Sequence, residues 1–280
     1  MPPTNAYEQS LAAVIAAARP LGVEEVPFTE AVGRVLARDV LADRDDPPAP
    51  KSAMDGFAVR AADTARAAPG APVQFTFHEV VGAGHLARGR VPPGAAMRVM
   101  TGALLPEGAD AVVKQEETQP AGEGRFTLIH SHEAGENVVP PGARMQTGER
   151  LLAAGDVIGP QALGVAAGLG LARLPVHRRP RVALLALGDE LIDVGQPLRP
   201  GAIYVSNLYA LEALAARYGA VTRRLGIVGD DPQHMLALLA PCLEPGAAAC
   251  DVLITLGGSH KGDFDFVHTV HDRLGAETRF

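Results

Sequence analysis

The stretch from Asp251 to Gly275 most constrains how this chain can fold. Val252–Leu256 is a short apolar run with β-branched residues, which is typical of a buried parallel strand. Gly257 and Gly258 interrupt this run, and apolar residues then recur at helical spacing up to Gly275, which suits a helix C-cap. The pattern therefore predicts a strand, a glycine-rich turn and a helix. Such a turn places backbone N–H groups and the positive end of a helix dipole at the carboxyl edge of a sheet, where phosphates bind.

Two carboxylates lie in the same turn. Asp263 and Asp265 stand beside the predicted anion site, which suggests that a divalent cation such as Mg²⁺ joins protein to phosphate. The alternative is that they only complement the dipole of the helix that follows. Because glycine-rich strand-to-helix turns are common, both interpretations stay open.

The chain before this stretch repeats the alternation of strand and helix. Three parallel strands alternating with helices predict a doubly wound α/β domain. Each strand is followed by an acidic residue, namely Glu190, Asp230 or Asp265, at the edge where such sheets bind ligands. The other predicted elements are strands Val182–Leu187 and Val221–Val228 and helices Asn207–Tyr218 and Gln233–Leu243.

Residues 57–134 have a different pattern. Val73–Val81 alternates in the manner of a β-strand, and Gly/Pro-rich turns separate shorter strand candidates. This pattern predicts a small β-rich domain. The motif MTGALLPEGAD within it is dense in turn residues and carries Thr101. The shorter strand candidates are Arg98–Met100, Ala111–Lys114 and Arg125–His130.

The N-terminal part predicts two helices and a linker. Tyr7–Arg19 has an apolar face, and Glu30–Ala42 is also helix-like. The prolines of residues 43–60 indicate an exposed linker. It contains Asp55 beside Gly56, a pair that more often forms a turn than a catalytic group.

Two groups of histidines could bind a metal. His130 and His132 are two residues apart, but without a third ligand nearby they are predicted to be surface imidazoles. His260, His268 and His271 form a second candidate, for which ordinary helix-surface histidines are the simpler interpretation.

Composition narrows the function classes. A length of 280 residues suggests about two domains. The net charge of −7 argues against sequence-independent nucleic-acid binding, which needs clustered cations. The two cysteines make neither a zinc set nor a disulfide framework. No segment has the roughly 18 apolar residues of a membrane span and no secretory signal is evident, so a cytoplasmic protein is expected.

Several motifs resemble the molybdopterin molybdenumtransferase family, of the MoeA and gephyrin E-domain type. SAMDG and MTGALLPEGAD are long, rare and correctly spaced, and the likeness covers nearly the whole chain. The motifs, in chain order, are PAPKSAMDGFAVR, GAAMRVMTGALLPEGADAVVKQEE, GENVVPPG, RPRVALLALGDEL, YVSN, LGIVGDDP and LITLGGSHKGDFDFV.

The resemblance implies a multidomain homodimer of α/β plus β-rich class. It implies a helical linking domain of residues 1–42 and 143–177, a β-rich domain of residues 43–142 and an α/β molybdopterin-binding domain of residues 178–280. The resemblance further implies that the chain is truncated before the lysine-bearing segment of the family and before its C-terminal barrel.

The resemblance also implies an activity. Family members insert molybdenum from molybdate into adenylylated molybdopterin with Mg²⁺ and release AMP, and a molybdopterin adenylyltransferase is a possible partner. By motif position the catalytic residues are Asp55, Thr101, Glu190, Asp230 and Asp265, of which the last three bind metal. The two sets meet across the dimer interface of the family. The implied cofactor-binding residues are Gly257, Gly258, Ser259, Gly262, Asp263, Asn207 and Lys261.

The chain departs from the family pattern at several positions, which keeps a second function open. Arg144 stands where an acid is common, Leu187 where Thr or Ser precedes Gly-Asp-Glu, and Val205 where a polar residue is usual. His260 and Lys261 alter the glycine-rich turn. The alternative is a non-catalytic molybdopterin-binding or scaffold paralogue. A nicotinamide-binding domain fits poorly, because no G-x-G-x-x-G motif follows the first α/β strand.

Overall fold

The computed structural model describes residues 6–257 and 267–277. The helices are α1 Ala6–Ala17, α2 Ala61–Thr64, α3 Pro160–Gly168, α4 Ser206–Arg217, α5 Pro232–Leu243 and α6 Val267–Arg273, with 3-10 helices at Phe28–Glu30 and Gln115–Glu117. The strands are β1 Val23–Pro27, β2 Val40–Leu41, β3 Lys51–Ser52, β4 Gly56–Val59, β5 Val73–Val81, β6 Ala95–Val99, β7 Ala111–Lys114, β8 Gln119–Pro120, β9 Arg125–Leu128, β10 Val138–Val139, β11 Arg150–Leu152, β12 Arg173–His177, β13 Arg181–Leu187, β14 Leu191–Ile192, β15 Ile203–Tyr204, β16 Val221–Val228 and β17 Val252–Leu256.

The chain divides into two compact units. The first contains residues 1–38 and 154–280, and the second contains residues 39–153. The predicted class of α/β plus β-rich is confirmed, because parallel strands alternate with helices in the first unit and a six-stranded sheet dominates the second. The finer division into three domains remains a prediction.

The six-stranded sheet of the second unit is built around β4. Its strand order is β7-β4-β6-β5-β9-β8. All four residues of β4 are buried, with Phe57 and Val59 in one apolar cluster and Ala58 in another on the opposite side. The predicted exposed linker over residues 43–60 is therefore wrong for residues 56–59. Its prolines all precede this apolar run and so do not interrupt the strand.

Phenylalanines fill one face of this sheet. The ring centroid of Phe57 lies 4.1 Å from that of Phe126, and Phe126 stacks on Phe75 at 5.4 Å. Phe75 and Phe126 are almost fully buried. These rings come from three strands of the same sheet, in which β6 lies between β4 and β5, so the aromatic packing spans β6 and holds β4, β5 and β9 in one layer.

The first unit contains a smaller antiparallel pair, β1 with β12. The predicted helix over Glu30–Ala42 is wrong: the structure has a 3-10 turn ending at Glu30, isolated bridges at Val35 and Leu36, and β2 at Val40–Leu41. Gly33 has a φ of 77°, a left-handed conformation that ends helical geometry. The N–H of Leu36 then bonds to the carbonyl of Asp156 at 2.9 Å instead of to its own helix.

Helix α1 confirms the helix predicted over Tyr7–Arg19, but the apolar residues of that helix are not buried. Leu11, Val14 and Ile15 are 44%, 54% and 64% exposed. In the described part of the chain, no helix is long and apolar enough to cross a membrane.

The parallel sheet of the first unit has the order β16-β13-β17. Leu185 and Leu187 of β13 pack with buried residues of α5 and α6, whereas Leu184 and Ala186 pack with Val205 and Leu208 at the start of α4. Helices therefore cover both faces, as the doubly wound prediction requires.

The predicted C-cap at Gly275 is confirmed. This glycine has a φ of 74°. Its N–H bonds to the carbonyl of Asp272 at 3.0 Å, and the N–H of Ala276 bonds to that of His271 at 2.9 Å. These are the two hydrogen bonds of a Schellman motif, which ends α6.

Asp251 joins the amino ends of two neighbouring strands. Its carboxylate accepts two hydrogen bonds from the Arg178 guanidinium, at 2.7 and 2.8 Å, and one from the N–H of Arg181 at 2.7 Å. The hydrogen bonds from Arg178 and Arg181 lower the pKa of Asp251 to about 2, against an opposing effect of burial.

We expect Asp251→Asn to remove a pH-dependent part of the stability. Since the folded-state pKa lies below the ordinary value of 3.8, the stabilisation is complete above about pH 4 and is lost as the pH falls toward 2. Water screens the partly exposed pair, so the contribution is about 1 kcal/mol. When the free energy of unfolding is measured with urea at several pH values from 2 to 6, it should change less with pH for the variant than for the wild type. Asp43→Asn, which removes an exposed contact with Arg44, is the control. The same pH dependence of the unfolding free energy in all three proteins would contradict the prediction.

Gly56 is a second structural constraint that can be tested. It pairs with Lys114 across β4 and β7, and a Cβ at this position would overlap the carbonyl group of Val113. Because backbone cannot move as a side chain can, Gly56→Ala should cost about 3 kcal/mol or more of unfolding free energy. Gly70→Ala is the matched control, since a Cβ at Gly70 meets nothing within 4 Å. Equal denaturant midpoints for the two variants would contradict the prediction and show that β4 and β7 can move apart at Gly56 at little cost.

Candidate functional site

A cavity of about 210 Å³ lies at the carboxyl ends of β13 and β17, beside the start of α4. Three of the predicted site residues line it: Glu190, Asn207 and Gly257. The remaining lining residues are Ala186, Leu187, Leu191, Ile203, Tyr204, Val205, Ser206, Leu208 and Leu256. This is the sheet edge at which ligands bind in doubly wound folds.

The ends of β13 and β17 approach each other unusually closely. Gly257 has a φ of 98°, and a Cβ there would overlap the carbonyl oxygen of Leu187. Glycine is therefore needed for packing at this position, in addition to any role in binding a ligand. Glu190 folds back over Gly188, where a Cβ would overlap its carboxylate.

The start of α4 presents its backbone N–H groups at this cavity. Its N-cap is Val205, which makes no side-chain capping hydrogen bond. By contrast, the Asp231 carboxylate caps α5 by accepting from the N–H groups of Gln233 and His234 at 2.9 and 3.2 Å. An uncapped helix start beside a cavity is suited to an anionic group, because its N–H groups and dipole both favour negative charge.

Asp230 lies at the end of β16 and not among the residues that line the cavity. Its N–H donates to Asp189 Oδ1 at 3.2 Å. The same carboxylate packs against Gly229, where a Cβ would overlap it. Asp189 thus connects the ends of β13 and β16. Together with Glu190 and Asp230 it forms a row of carboxylates at this end of the sheet, which we call the acidic edge.

Sequence reasoning missed Asp189 and Arg199. Asp189 is adjacent to Glu190 in the Gly-Asp-Glu motif. The one sequence signal for its contact with the end of β16 is Gly229, which leaves space for the Asp189 carboxylate. The Arg199 guanidinium donates to the carbonyl oxygen of Asp189, which brings a cation to this acidic edge. Asp189 and Arg199 are ten positions apart in the chain, and no periodic pattern links them, so the sequence did not indicate the contact.

Asp55 and Thr101 form a hydrogen-bonded pair in the other unit. Asp55 Oδ1 accepts from the N–H of Thr101 at 2.7 Å and from its hydroxyl at 2.8 Å. These two hydrogen bonds, with a smaller effect of the Arg98 charge, lower the pKa of the exposed Asp55. The sequence predicted both residues, but their direct contact spans a separation of 46 residues.

The same arrangement occurs a second time in this unit. Asp45 Oδ1 accepts from the N–H and the hydroxyl of Thr147, both at 2.7 Å, and these hydrogen bonds lower the pKa of Asp45. An aspartate held in this way is therefore also a device for joining loops. The contact between Asp55 and Thr101 therefore joins two loops in addition to orienting the Asp55 carboxylate.

The rest of the predicted site lies outside the described residues. This applies to Asp265 among the catalytic and metal-binding candidates. It also applies to Gly258, Ser259, Lys261, Gly262 and Asp263 among the cofactor-binding candidates.

Comparison with known proteins extends across the chain. Residues 5–170 match the family model of the MoeA N-terminal region (domain I and II), and residues 183–279 match that of a probable molybdopterin binding domain. The molybdopterin molybdenumtransferase of Bacillus subtilis (strain 168) is 38% identical over 260 residues, covering 92% of this chain and 60% of the relative. The enzyme of that name from Nostoc is 37% identical, covering 91% and 57%. The chain thus spans about 60% of the length of these curated relatives.

Solved structures are similar as well. Two structures of the molybdopterin biosynthesis moeA protein from Pyrococcus horikoshii superimpose with TM-scores of 0.85 and 0.80, at 30% and 31% identity. They cover 95% and 89% of this chain, which spans 66% and 65% of theirs. Since the model of the MoeA N-terminal region alone matches more than half of the 280 residues, this chain belongs to the MoeA family.

Proposed function

We propose that the protein is a molybdopterin molybdenumtransferase of molybdenum cofactor biosynthesis. In this proposal it transfers molybdenum from molybdate to adenylylated molybdopterin and releases AMP. The observation that carries the proposal is that Glu190, Asn207 and Gly257 line one cavity at the carboxyl edge of a parallel sheet. The name of the relatives, molybdopterin molybdenumtransferase, supports the transfer of molybdenum to molybdopterin.

The α4 start is the part of the described cavity best suited to a phosphate of the substrate. Ser206, Asn207 and Leu208 begin this helix and line the cavity. Their N–H groups point toward the helix start, and the Val205 side chain provides no competing acceptor. The Asn207 side chain adds a donor and an acceptor that can orient a polar ligand.

The acidic edge suits Mg²⁺. This ion is usually held by one or two carboxylates together with substrate phosphates and water, so Glu190 and Asp230 are an adequate protein contribution. Asp189 is less available, because its Oδ1 accepts the N–H of Asp230. When bound, Mg²⁺ would neutralise negative charge on the phosphoanhydride that is cleaved. The protein's own share is to hold the two carboxylates on adjacent strand ends, where rigid backbone fixes their separation.

Asp55 and Thr101 would supply an oriented anion. Thr101 binds one carboxylate oxygen twice and keeps the pKa of Asp55 low, so the carboxylate stays ionised at neutral pH. An ionised, exposed carboxylate whose rotation is restricted can accept a hydrogen bond from a substrate N–H or O–H group.

The assembly and location of the protein are part of the same proposal. We infer a cytoplasmic homodimer that receives its substrate from a molybdopterin adenylyltransferase. The exposed apolar residues Leu11, Val14 and Ile15 of α1 provide surface that a dimer could cover.

A non-catalytic, molybdopterin-binding role is the second candidate. It is favoured by Arg144, which stands where the family commonly has an acid and donates to Asp46 at 2.7 Å. A scaffold of this kind would bind molybdopterin without releasing AMP from the adenylylated form. Calorimetric binding and AMP release, measured on the same sample, separate the two functions.

Asp55→Asn tests the proposed enzyme. The substitution keeps the hydrogen-bond acceptor for Thr101 but removes the charge, so AMP release in the presence of Mg²⁺ and molybdate should fall by about 10²-fold or more. Asp45→Asn is the matched control, because Asp45 makes the same two hydrogen bonds with Thr147. We expect the control to keep near wild-type turnover. Equal losses in both variants would indicate that these aspartates only join loops.

Glu190→Gln tests the metal assignment. Replacing a carboxylate ligand by an amide should raise the Mg²⁺ concentration needed for half-maximal AMP release by at least about tenfold. Glu244→Gln changes an exposed carboxylate at the C-terminal end of α5 and should leave this concentration unchanged. A Glu190→Gln protein with an unaltered Mg²⁺ dependence would remove Glu190 from the metal site.

A further inference from the structure

Three side chains that have no part in the proposed reaction lie together in the β-rich unit. Glu117, His132 and Glu136 each offer one ligand atom, and these atoms all lie within 4.8 Å of one another. In the described residues this is the one group of three or more His, Cys, Asp or Glu side chains with such a geometry. It combines an imidazole nitrogen with two carboxylate oxygens.

The prediction of a surface imidazole is wrong for His132. Its side chain is only 6% exposed, whereas His130 is exposed. Strand β9 ends at Leu128, before both histidines, so they do not share a strand face. The third ligand that sequence reasoning lacked comes from elsewhere in the chain, because folding brings Glu117 to His132.

Strand β7 brings the two segments together. The 3-10 helix that ends at Glu117 follows β7 directly. The segment that contains Glu136 runs along the same strand: the N–H of Val112 donates to the carbonyl of Glu136 at 3.0 Å, and the Asn137 side chain donates to the carbonyl of Val112 at 2.9 Å. The sheet therefore fixes the backbone of the two segments that carry these side chains.

The backbone around His132 is anchored independently of its ring. Its N–H donates to the Thr64 hydroxyl at 2.9 Å, and this hydroxyl donates to the carbonyl of Ala61 at 2.7 Å. Thr64 is fully buried at the end of α2. A histidine fixed in this manner loses little further conformational freedom when it binds a ligand.

The carboxylate of Glu136 is also held in place. Its Oε1 lies 3.0 Å from His132 Nδ1, and its Oε2 accepts the N–H of Glu133 at 3.1 Å. Ligand atoms of zinc lie about 2.0–2.2 Å from the ion, so neighbouring ligands of a tetrahedral ion are about 3.3 Å apart. The separation of His132 Nδ1 from Glu136 Oε1 is thus within a few tenths of an ångström of the separation of neighbouring zinc ligands, and a bound ion would replace the proton that these two atoms share.

Glu117 is the adjustable member of the group. Its side chain is 38% exposed and lies 3.6 Å from the equally exposed Lys114. An ion pair of this kind contributes little to stability, so a divalent ion can displace Lys114 at small cost. The carboxylate then needs only a rotamer change to approach the other two ligands.

We propose that Glu117, His132 and Glu136 form a binding site for a divalent transition metal, with Zn²⁺ the best match, separate from the molybdopterin cavity. Imidazole together with carboxylates suits zinc, whereas Mg²⁺ prefers oxygen ligands alone. Three protein ligands leave the fourth tetrahedral position to water. The ion ties the end of the 3-10 helix after β7 to the segment from His132 to Glu136.

The test is a titration of the full chain with Zn²⁺ against a chromophoric chelator at neutral pH. Because Cys242 and Cys250 also offer zinc ligands close to each other, with the N–H of Cys250 2.8 Å from the carbonyl of Cys242, the protein carries Cys242→Ser and Cys250→Ser. We expect one equivalent of zinc to bind. Glu117→Gln and Glu136→Gln should each weaken the affinity by at least about tenfold.

Glu116→Gln is the matched control. It lies next to Glu117 in the same 3-10 helix and is equally exposed, but it is not one of the three ligands. Zinc should raise the melting temperature of the parent and of this control, but not that of the two ligand variants. Absence of stoichiometric binding, or ligand variants that bind zinc as the control does, would overturn the proposal. AMP release plays no part in this readout, so it is independent of the proposed enzymatic function.

Discussion

The close approach of three strand ends around Leu187 is the constraint on which the candidate site depends. β13 lies between β16 and β17, and glycines stand at both contacts: Gly257 against the carbonyl of Leu187, and Gly229 against the carboxylate of Asp189. A side chain at Gly257 would meet backbone and push β13 and β17 apart, whereas a side chain at Gly229 would displace the Asp189 carboxylate. Because the contacts are made by backbone on one side and by a short aspartate on the other, the ends of the strands have little freedom to shift. The ends of β13, β16 and β17 are consequently packed closely at the edge that carries Glu190 and Asp230.

The two helices beside this edge have different electrostatic roles. Asp231 neutralises the N-terminus of α5, while α4 begins at Val205 and has no side-chain cap. Both helices contain 12 residues and start at the carboxyl side of the sheet. The residue that precedes each helix, valine for α4 and aspartate for α5, thus leaves the start of α4 open to an anionic ligand and closes the start of α5.

In the β-rich unit, aspartates and threonines perform a repeated structural task. Asp45 with Thr147 and Asp55 with Thr101 join distant loops through the same two hydrogen bonds. The unit has short strands and many turns, so these contacts supply order that a longer ladder would otherwise provide. The aromatic layer of Phe57, Phe75 and Phe126 gives the sheet its rigid base. Functional residues in such a unit lie on loops, and a few polar contacts hold these loops in place beside the sheet.

Sequence by itself determined the parallel strands, their helices and the family, because apolar periodicity and rare motifs are local properties of the chain. It also predicted as site residues Glu190, Asn207 and Gly257, which line one cavity, since each follows or begins a predicted element. The prediction of a linker was wrong for β4, because the prolines before it were given more importance than the four-residue apolar run. The prediction of a helix from Glu30 to Ala42 was wrong, because Gly33 and long-range hydrogen bonds prevent it. Only the tertiary structure decided the contact of Asp189 with the end of β16 and the convergence of Glu117 with His132 and Glu136. These contacts join residues far apart in the chain, and strand pairing, which no local pattern encodes, is what brings them together.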